Sequence, residues 1–285
     1  MAIVWKQIGY YQHAMADAHQ PLLFFDTGIG GLSVFEKVQA ALPTAPMVYA
    51  ADYAGLPYGE KSEIEVATRV CALLGRLSER FCPRLVVIAC NTASVIALGH
   101  VRAVLGVPIV GTVPAIKPAA LATQTGVIGL LGTNATIRQP YVDRLYAEHA
   151  NGMTMLRHAA PDLVYAAEAK LRGEVPDMQA CRDAVAGLID QTNGQNLDAM
   201  VLGCTHFPLL VDELEQAARD LGHDRKIAFV DGSDGIARRV KHVTADHIWP
   251  ENAPQGIFIT TGIIDDVAPY APHLATFGLS NIQSL

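Results

Sequence analysis

Short, uninterrupted apolar runs alternate with amphipathic stretches from residue 22 to about residue 230. Runs at 22–25, 47–51, 85–89, 109–112, 127–131, 155–158, 199–202 and 227–230 read as strands. Segments at 33–41, 63–80, 93–105, 115–122, 141–149, 161–170, 178–190 and 209–221 read as helices. Strands that are apolar at every position, and not at alternate ones, are covered on both faces. The rhythm therefore predicts an α/β fold of parallel sheets flanked by helices. After residue 225 it weakens into one more strand, a short helix over 236–242 and a mixed tail expected to return to the first domain.

The layout repeats loosely. Leu23-Phe24-Phe25-Asp26-Thr27-Gly28 opens a first half that later delivers Cys90, and Gly129-Leu130-Leu131-Gly132-Thr133-Asn134 opens a second that delivers Cys204. At 285 residues the chain exceeds a typical single domain. We expect two similar parallel-sheet domains, residues 22–113 plus 226–285 and residues 114–225, after an N-terminal extension over 1–21. Open α/β sheets bind ligands beyond the carboxyl ends of their strands, so two facing domains would put both cysteines on one cleft.

Bulk properties narrow the function. Hydrophobic residues make up 51% and charged residues 17%, enough for sizeable cores. A net charge of −7 without a basic run argues against nucleic acid as the partner. No apolar stretch approaches the roughly 18 residues that span a bilayer, and residues 1–20 lack the pattern of a secretory signal. The five cysteines, an odd count without CxxC spacing, fit reduced cytoplasmic thiols better than a disulfide framework. No HExxH occurs, so no metal is expected.

Cys90 and Cys204 each read as the first residue past a buried strand, where the chain turns into a helix. The positive end of a helix dipole there would lower the thiol pKa and favour thiolate near neutral pH. A free cysteine is more often a small buried hydrophobe, which is our reading of Cys71, Cys82 and Cys181. Cys90 and Cys204 differ because small polar residues follow them. Asn91, Thr92 and Thr205 supply neutral donors and acceptors, or cap the helices. His206 is an acid–base candidate or a structural histidine. Asp26-Thr27-Gly28-Ile29-Gly30-Gly31 is not GxGxxG, since Ser33 stands at the third glycine position. Nor does an aspartic-protease reading fit the helical stretches around it. Its glycines suit a tight turn whose N–H groups approach an anion, with Asp26 orienting a thiol, holding an ammonium group or capping a helix. Tyr58 and Gly59 lie in a Pro/Gly loop that contacts ligand or closes a turn. Lys and Arg are scarce around Asp26, Tyr58, Cys90, Thr133 and Cys204, so an anionic ligand would be held by N–H groups and hydroxyls.

Four ordered motifs carry a family resemblance. Phe25-Asp26-Thr27-Gly28-Ile29-Gly30-Gly31-Leu32-Ser33-Val34, Pro57-Tyr58-Gly59-Glu60-Lys61-Ser62, Ala89-Cys90-Asn91-Thr92-Ala93-Ser94 and Leu202-Gly203-Cys204-Thr205-His206-Phe207-Pro208-Leu209-Leu210 resemble the cofactor-independent aspartate/glutamate racemases, in their glutamate branch. The resemblance implies two α/β domains with the active site between them and no cofactor. Cys90 and Cys204 match the family's catalytic cysteines, and Asp26 and His206 the polar groups flanking them. Asp26, Thr27, Tyr58, Gly59, Asn91, Thr92, Thr205 and His206 match its substrate-contact motifs. Glu168 ends a segment similar to one that brings a glutamate near the site, and Thr133 is a further candidate. Departures exist: Thr27 replaces a usual serine, Ala160 precedes Pro161 where cysteine is common, Tyr165 stands near a usual proline, and Asp231-Gly232-Ser233-Asp234-Gly235 departs from Asp-Ser-Gly.

The resemblance implies interconversion of L- and D-glutamate by two thiols acting on opposite faces of the α-carbon, with glutamate as the small-molecule partner. It further implies D-glutamate supply for peptidoglycan in the cytoplasm. Racemisation of aspartate or another small acid, and a catalytically silent regulatory protein on the same scaffold, remain alternatives. A thiol hydrolase fits less well, because each thiol faces another thiol where a base would stand. A homodimer is left open.

Overall fold

The computed structural model describes residues 18–285. Most of the extension expected over 1–21 therefore lies outside the described residues. The eight expected strands are all present as β1 (Leu22–Asp26), β2 (Met47–Ala51), β3 (Leu85–Ile88), β4 (Ile109–Gly111), β5 (Val127–Gly132), β6 (Thr154–Ala159), β7 (Ala199–Leu202) and β8 (Ala228–Val230). The tail adds β9 (Ile257–Thr260) and β10 (Asn281–Ser284). They form two wholly parallel sheets, one ordered β10-β9-β2-β1-β3-β4 and the other β6-β5-β7-β8. Strands β1, β2, β3 and β5 are buried at every position, as continuous apolar runs require.

Among the flanking helices, α1 (Leu32–Ala41), α2 (Glu63–Phe81) and α3 (Asn91–Val104) cover the first sheet. Helix α2 illustrates the local logic. Val66, Val70, Leu74 and Leu77 form its buried stripe, and Ser62 caps it by accepting from the Glu65 N–H at 3.3 Å. Glu63 and Glu65 sit in its first turn and Arg80 in its last, which suits the helix dipole. Helices α4 (Ile116–Ala122), α5 (Asn134–Ile137), α6 (Pro140–His149), α7 (Asp162–Leu171), α8 (Met178–Ile189) and α9 (Val211–Asp220) belong with the second sheet. Helix α10 (Ser233–Val243) packs against α1, with Ile236, Ala237 and Val240 in the same apolar cluster as Phe35.

One boundary differs from expectation. The chain returns to the first sheet after β8, not at residue 226, because β8 pairs with β7 along Ala199↔Ala228 to Val201↔Val230. The tail does return to the first sheet, where β9 pairs with β2. Phe258 of β9 is fully buried and stacks on Tyr49 of β2, with ring centroids 5.6 Å apart. Among the described residues no helix is long and apolar enough to cross a membrane.

Register explains why the chemistry gathers at one end of each sheet. Asp26 pairs with Ala51 and Phe25 with Ile88, so Asp26, Asp52 and Cys90 leave the sheet together. Leu131 pairs with Leu202 and Gly132 with Ala159, which brings Thr133 and Cys204 out at the matching end of the second sheet. Phe258→Ala is expected to cost about 3–5 kcal/mol by opening a cavity beneath Tyr49. A lowered midpoint in urea denaturation checks this, and an unchanged midpoint contradicts it.

Candidate active site

Cys90 lies two residues beyond β3 and is itself the cap of α3, its Sγ accepting from the Ala93 N–H at 3.4 Å. Its polar neighbour is Asp26, the last residue of β1 and fully buried. The Asp26 carboxylate accepts from the N–H of Thr27 at 2.8 Å and of Gly31 at 2.7 Å, with the Tyr49 hydroxyl 3.3 Å away. Tyr49 also lies 3.1 Å from the Gly28 carbonyl, which ties the glycine-rich loop to β2. Burial pushes the Asp26 pKa up, against the pull of His206 and of the two backbone donors.

The thiol of Cys90 corrects the expectation of a lowered pKa. Burial pushes it well above its usual value, the charge of Asp26 adds to the rise, and the Ala93 N–H only partly opposes them. A helix N-terminus is worth about 0.3–1 kcal/mol, whereas burying a titrating group fully can cost about 4–7 kcal/mol. Burial wins, and beside Asp26 the thiol form of Cys90 is favoured.

Cys204 also lies two residues beyond its strand, but the chain there makes a turn and a short 3-10 helix over Phe207–Leu210 before α9 begins at Val211. Its companion is a side chain, not a helix end: His206 Nδ1 is 3.8 Å from Cys204 Sγ. On the other side of the ring, His206 Nε2 meets Glu168 Oε1 of α7 at 2.8 Å, both groups buried. Burial alone would lower the His206 pKa, yet the contacts with Cys204 and Glu168 lift it well above the usual range. Those contacts favour the imidazolium form of His206, set between sulfur and carboxylate.

The two halves touch through glycine. A Cβ on Gly30 would stand 2.5–2.8 Å from the His206 ring, and one on Gly28 only 2.9 Å from Glu168 Oε1. The backbone after β1 is thus the seat on which the second domain's histidine and glutamate rest, a close approach only glycine permits. Gly59 meets Thr133 in the same way, its added Cβ falling 2.9 Å from the Thr133 Cβ. Hydroxyls complete the contact: Thr92 and Thr133 are 3.1 Å apart, and the Ser33 hydroxyl lies 3.3 Å from the Thr205 carbonyl. Asn91 and Cys204 line one small cavity, and Cys90 and Cys204 feel each other's charge. Asn91 Oδ1 is buried without a partner among the described residues, an acceptor suited to a ligand's donor.

Asp26, Cys90, Asn91, Thr92, Thr133, Glu168, Cys204, Thr205 and His206 are all buried, and the contacts above gather them along the boundary between the two sheets, with Thr27 beside Asp26. Tyr58 is at its edge: its phenol donates to Asp52 at 2.6 Å and its ring packs in the first-domain core. Sequence reasoning missed Asp52, which takes Tyr58, both Arg69 donors and the Thr261 hydroxyl and so anchors the 52–60 loop. Its signal was available, since Asp52 follows β2 much as Asp26 ends β1. Tyr49, an interior strand residue, offered none. Among the described residues no group of His, Cys, Asp and Glu is arranged to hold a metal ion.

A family model described as Asp/Glu/Hydantoin racemase matches residues 30–240. The chain is 58% identical over 265 residues to a glutamate racemase of Sphingopyxis alaskensis, covering 93% of this chain and 97% of that one. To a glutamate racemase of Pasteurella multocida it is 37% identical over 273 residues, 95% of this chain and 98% of the relative. The crystal structure of Escherichia coli glutamate racemase in complex with L-glutamate and the activator UDP-MurNAc-ala is similar with a TM-score of 0.83 at 36% identity. That match covers 93% of this chain and 98% of the other.

Gly30→Ala tests the seat. Overpacking there is expected to cost about 1–3 kcal/mol of domain closure, hence about a 5-fold to 150-fold loss of turnover, with each sheet still folded by circular dichroism. Turnover equal to that of the unsubstituted chain contradicts it.

Proposed function

The chain belongs to the Asp/Glu/Hydantoin racemase family, and we propose that within it this protein interconverts L- and D-glutamate by proton transfer between two thiols. One arrangement supports the reading above all: two buried cysteines, one from each half of the chain, are near enough for the charge of one to act on the other, and each has its own acid–base partner. Asp26 serves Cys90, and the His206–Glu168 pair serves Cys204.

One sulfur, as thiolate, takes the α-proton, and the electron pair left on carbon spreads into the α-carboxylate. The opposite thiol then gives its proton to the other face of that carbon. The products are the enantiomer and an enzyme whose thiol and thiolate have changed places. Nothing else is consumed, and no cofactor takes part. The return transfer uses the same groups in reverse.

The difficulty lies in the acidity of the α-hydrogen, which is far weaker than that of a thiol. Charge developing on the carboxylate must be met by donors already in place, and water must be kept out. The hydroxyls of Thr92, Thr133 and Thr205 and the N–H groups after Cys90 and Cys204 are suited to that task. Asn91 Oδ1 is suited to the substrate ammonium. Burial contributes in a second way. It disfavours a thiolate at Cys90, and the same desolvation makes that thiolate a stronger base once formed. In the half-reaction where Cys204 carries charge, the adjacent imidazolium balances it.

D-glutamate production implies service to peptidoglycan precursors in the cytoplasm. Polarimetric assay of L- and D-glutamate, with aspartate alongside, tests the substrate. Cys90→Ala and Cys204→Ala are each expected to abolish racemisation, and in deuterated water the inverted product of the unsubstituted chain should carry solvent deuterium. Full racemisation by either alanine variant would overturn the two-thiol mechanism.

A further inference from the structure

The catalytic reading uses Glu168 only through Oε1. Its second oxygen is held by the other domain. Tyr53, just beyond β2, donates to Oε2 at 3.3 Å. Tyr270, from the tail beyond β9, stands behind Tyr53, near enough to the Glu168 carboxylate to act on it. Tyr270 in turn accepts from Arg172 Nη1 at 2.8 Å, one turn along the chain from Glu168. The two phenol rings lie 6.0 Å apart. Tyr270 is buried in the first-domain core with Leu274 and Leu279, and Phe277 packs edge-on against Phe35 with centroids 6.1 Å apart. The tail is thus fixed to the first domain, while Glu168 and Arg172, both of the α7 segment, reach Tyr270 from the second.

We propose that Tyr53 and Tyr270 are positioning residues for the racemisation: Tyr53 holds Glu168 Oε2 across the domain boundary and Tyr270 braces Tyr53 and Arg172 behind it, so that Oε1 stays on His206 and the C-terminal tail becomes part of the closed site. The proposal deepens the reading of Cys204 and His206 as one acid–base unit and rests on it. A carboxylate held at one oxygen can swing about its last torsions, and a displacement of about 1 Å near reacting groups costs about 100-fold in rate. Holding both oxygens removes that freedom. Tyr270 accepts from Arg172 and so ties the end of α7 to the tail. The clamp also forms only when the domains are together, because the tyrosines and Glu168 come from opposite sides of the cleft.

The titratable groups acting on this carboxylate are His206 from the loop after β7, Tyr53 and Tyr49 from the first domain and Tyr270 from the tail, with Cys204 behind His206 and Arg172 behind Tyr270. Asp26 acts on it through His206. Burial would raise the Glu168 pKa, but the bond and charge of His206, then the phenols of Tyr270 and Tyr53, bring it below the usual carboxylate range. Removing the phenol hydroxyls must therefore raise it, and a neutral Glu168 no longer supports the imidazolium.

Tyr270→Phe and Tyr53→Phe in the full chain keep both rings and delete only the hydroxyls. Each is expected to lower kcat for glutamate about tenfold and to move the acid limb of the kcat/KM profile upward by about one pH unit, the size of one hydrogen bond to a charged group. The second readout needs no turnover. The His206 ring titration, followed by nitrogen NMR, should shift downward in pH in both variants. A purely structural role would lower the melting temperature and leave both profiles in place. Superimposable pH profiles and an unmoved His206 titration would overturn the clamp. An unsubstituted chain inactive on glutamate but with a shifted His206 titration in the variants would overturn the substrate reading and leave the clamp standing.

Discussion

The cleft depends on one steric fact, that backbone without side chains lies beneath the second domain's histidine and glutamate. Gly28 and Gly30 leave no room between the loop after β1 and the His206–Glu168 pair. Closure is therefore defined by hard contact and not by a cushion of side chains. The same loop is tied down by Tyr49, which bonds the Gly28 carbonyl while stacking on Phe258. A strand from the last thirty residues of the chain thus braces a loop from the first thirty. Contacts of such large sequence separation are costly to form, and they fix the loop on which the His206–Glu168 pair sits.

Electrostatics inside the closed cleft are unequal on its two sides. Cys90 faces a buried carboxylate that opposes ionisation, with a desolvation cost that outweighs the capping N–H. Cys204 faces an imidazolium whose charge is balanced by Glu168. A buried pair such as His206–Glu168 adds little net stability, because desolvation offsets attraction, but breaking it leaves an uncompensated charge. Its value here is geometric. It fixes the ring plane and leaves Nδ1 turned to sulfur.

Much of this was legible beforehand because fully buried parallel strands announce themselves as continuous apolar runs. Leu85–Ile88 and Ala199–Leu202 are such runs, and the residues just past them are the two thiols. The tail's two strands were not legible. Ile257–Thr260 is only four residues long, and edge strand Asn281–Ser284 is partly exposed and polar, so neither carries the pattern. The Cys90 environment misled for a different reason. A dipole can be inferred from a strand-to-helix turn, whereas the depth of burial depends on how two domains close. Glu168 was reached only through resemblance, and Tyr53 and Tyr270 not at all, since nothing local distinguishes a tyrosine that crosses a domain boundary from one that fills a core.

Unequal surroundings for the two sulfurs are compatible with the proposed racemisation. Enantiomers have equal free energies in water, so kcat/KM must be the same in both directions whatever the enzyme's resting state. That equality constrains only the sum of the steps. An enzyme resting with Cys90 protonated accepts first the enantiomer whose α-hydrogen points at Cys204, and the opposite enantiomer requires the proton to relocate beforehand. The asymmetry therefore falls on kcat and KM separately, where they compensate within each direction. Two unlike partners, a carboxylate on one side and a braced imidazolium on the other, give each sulfur a route to both of its protonation states. A mirror-symmetric pair of thiols alone would have no means of setting which one rests charged.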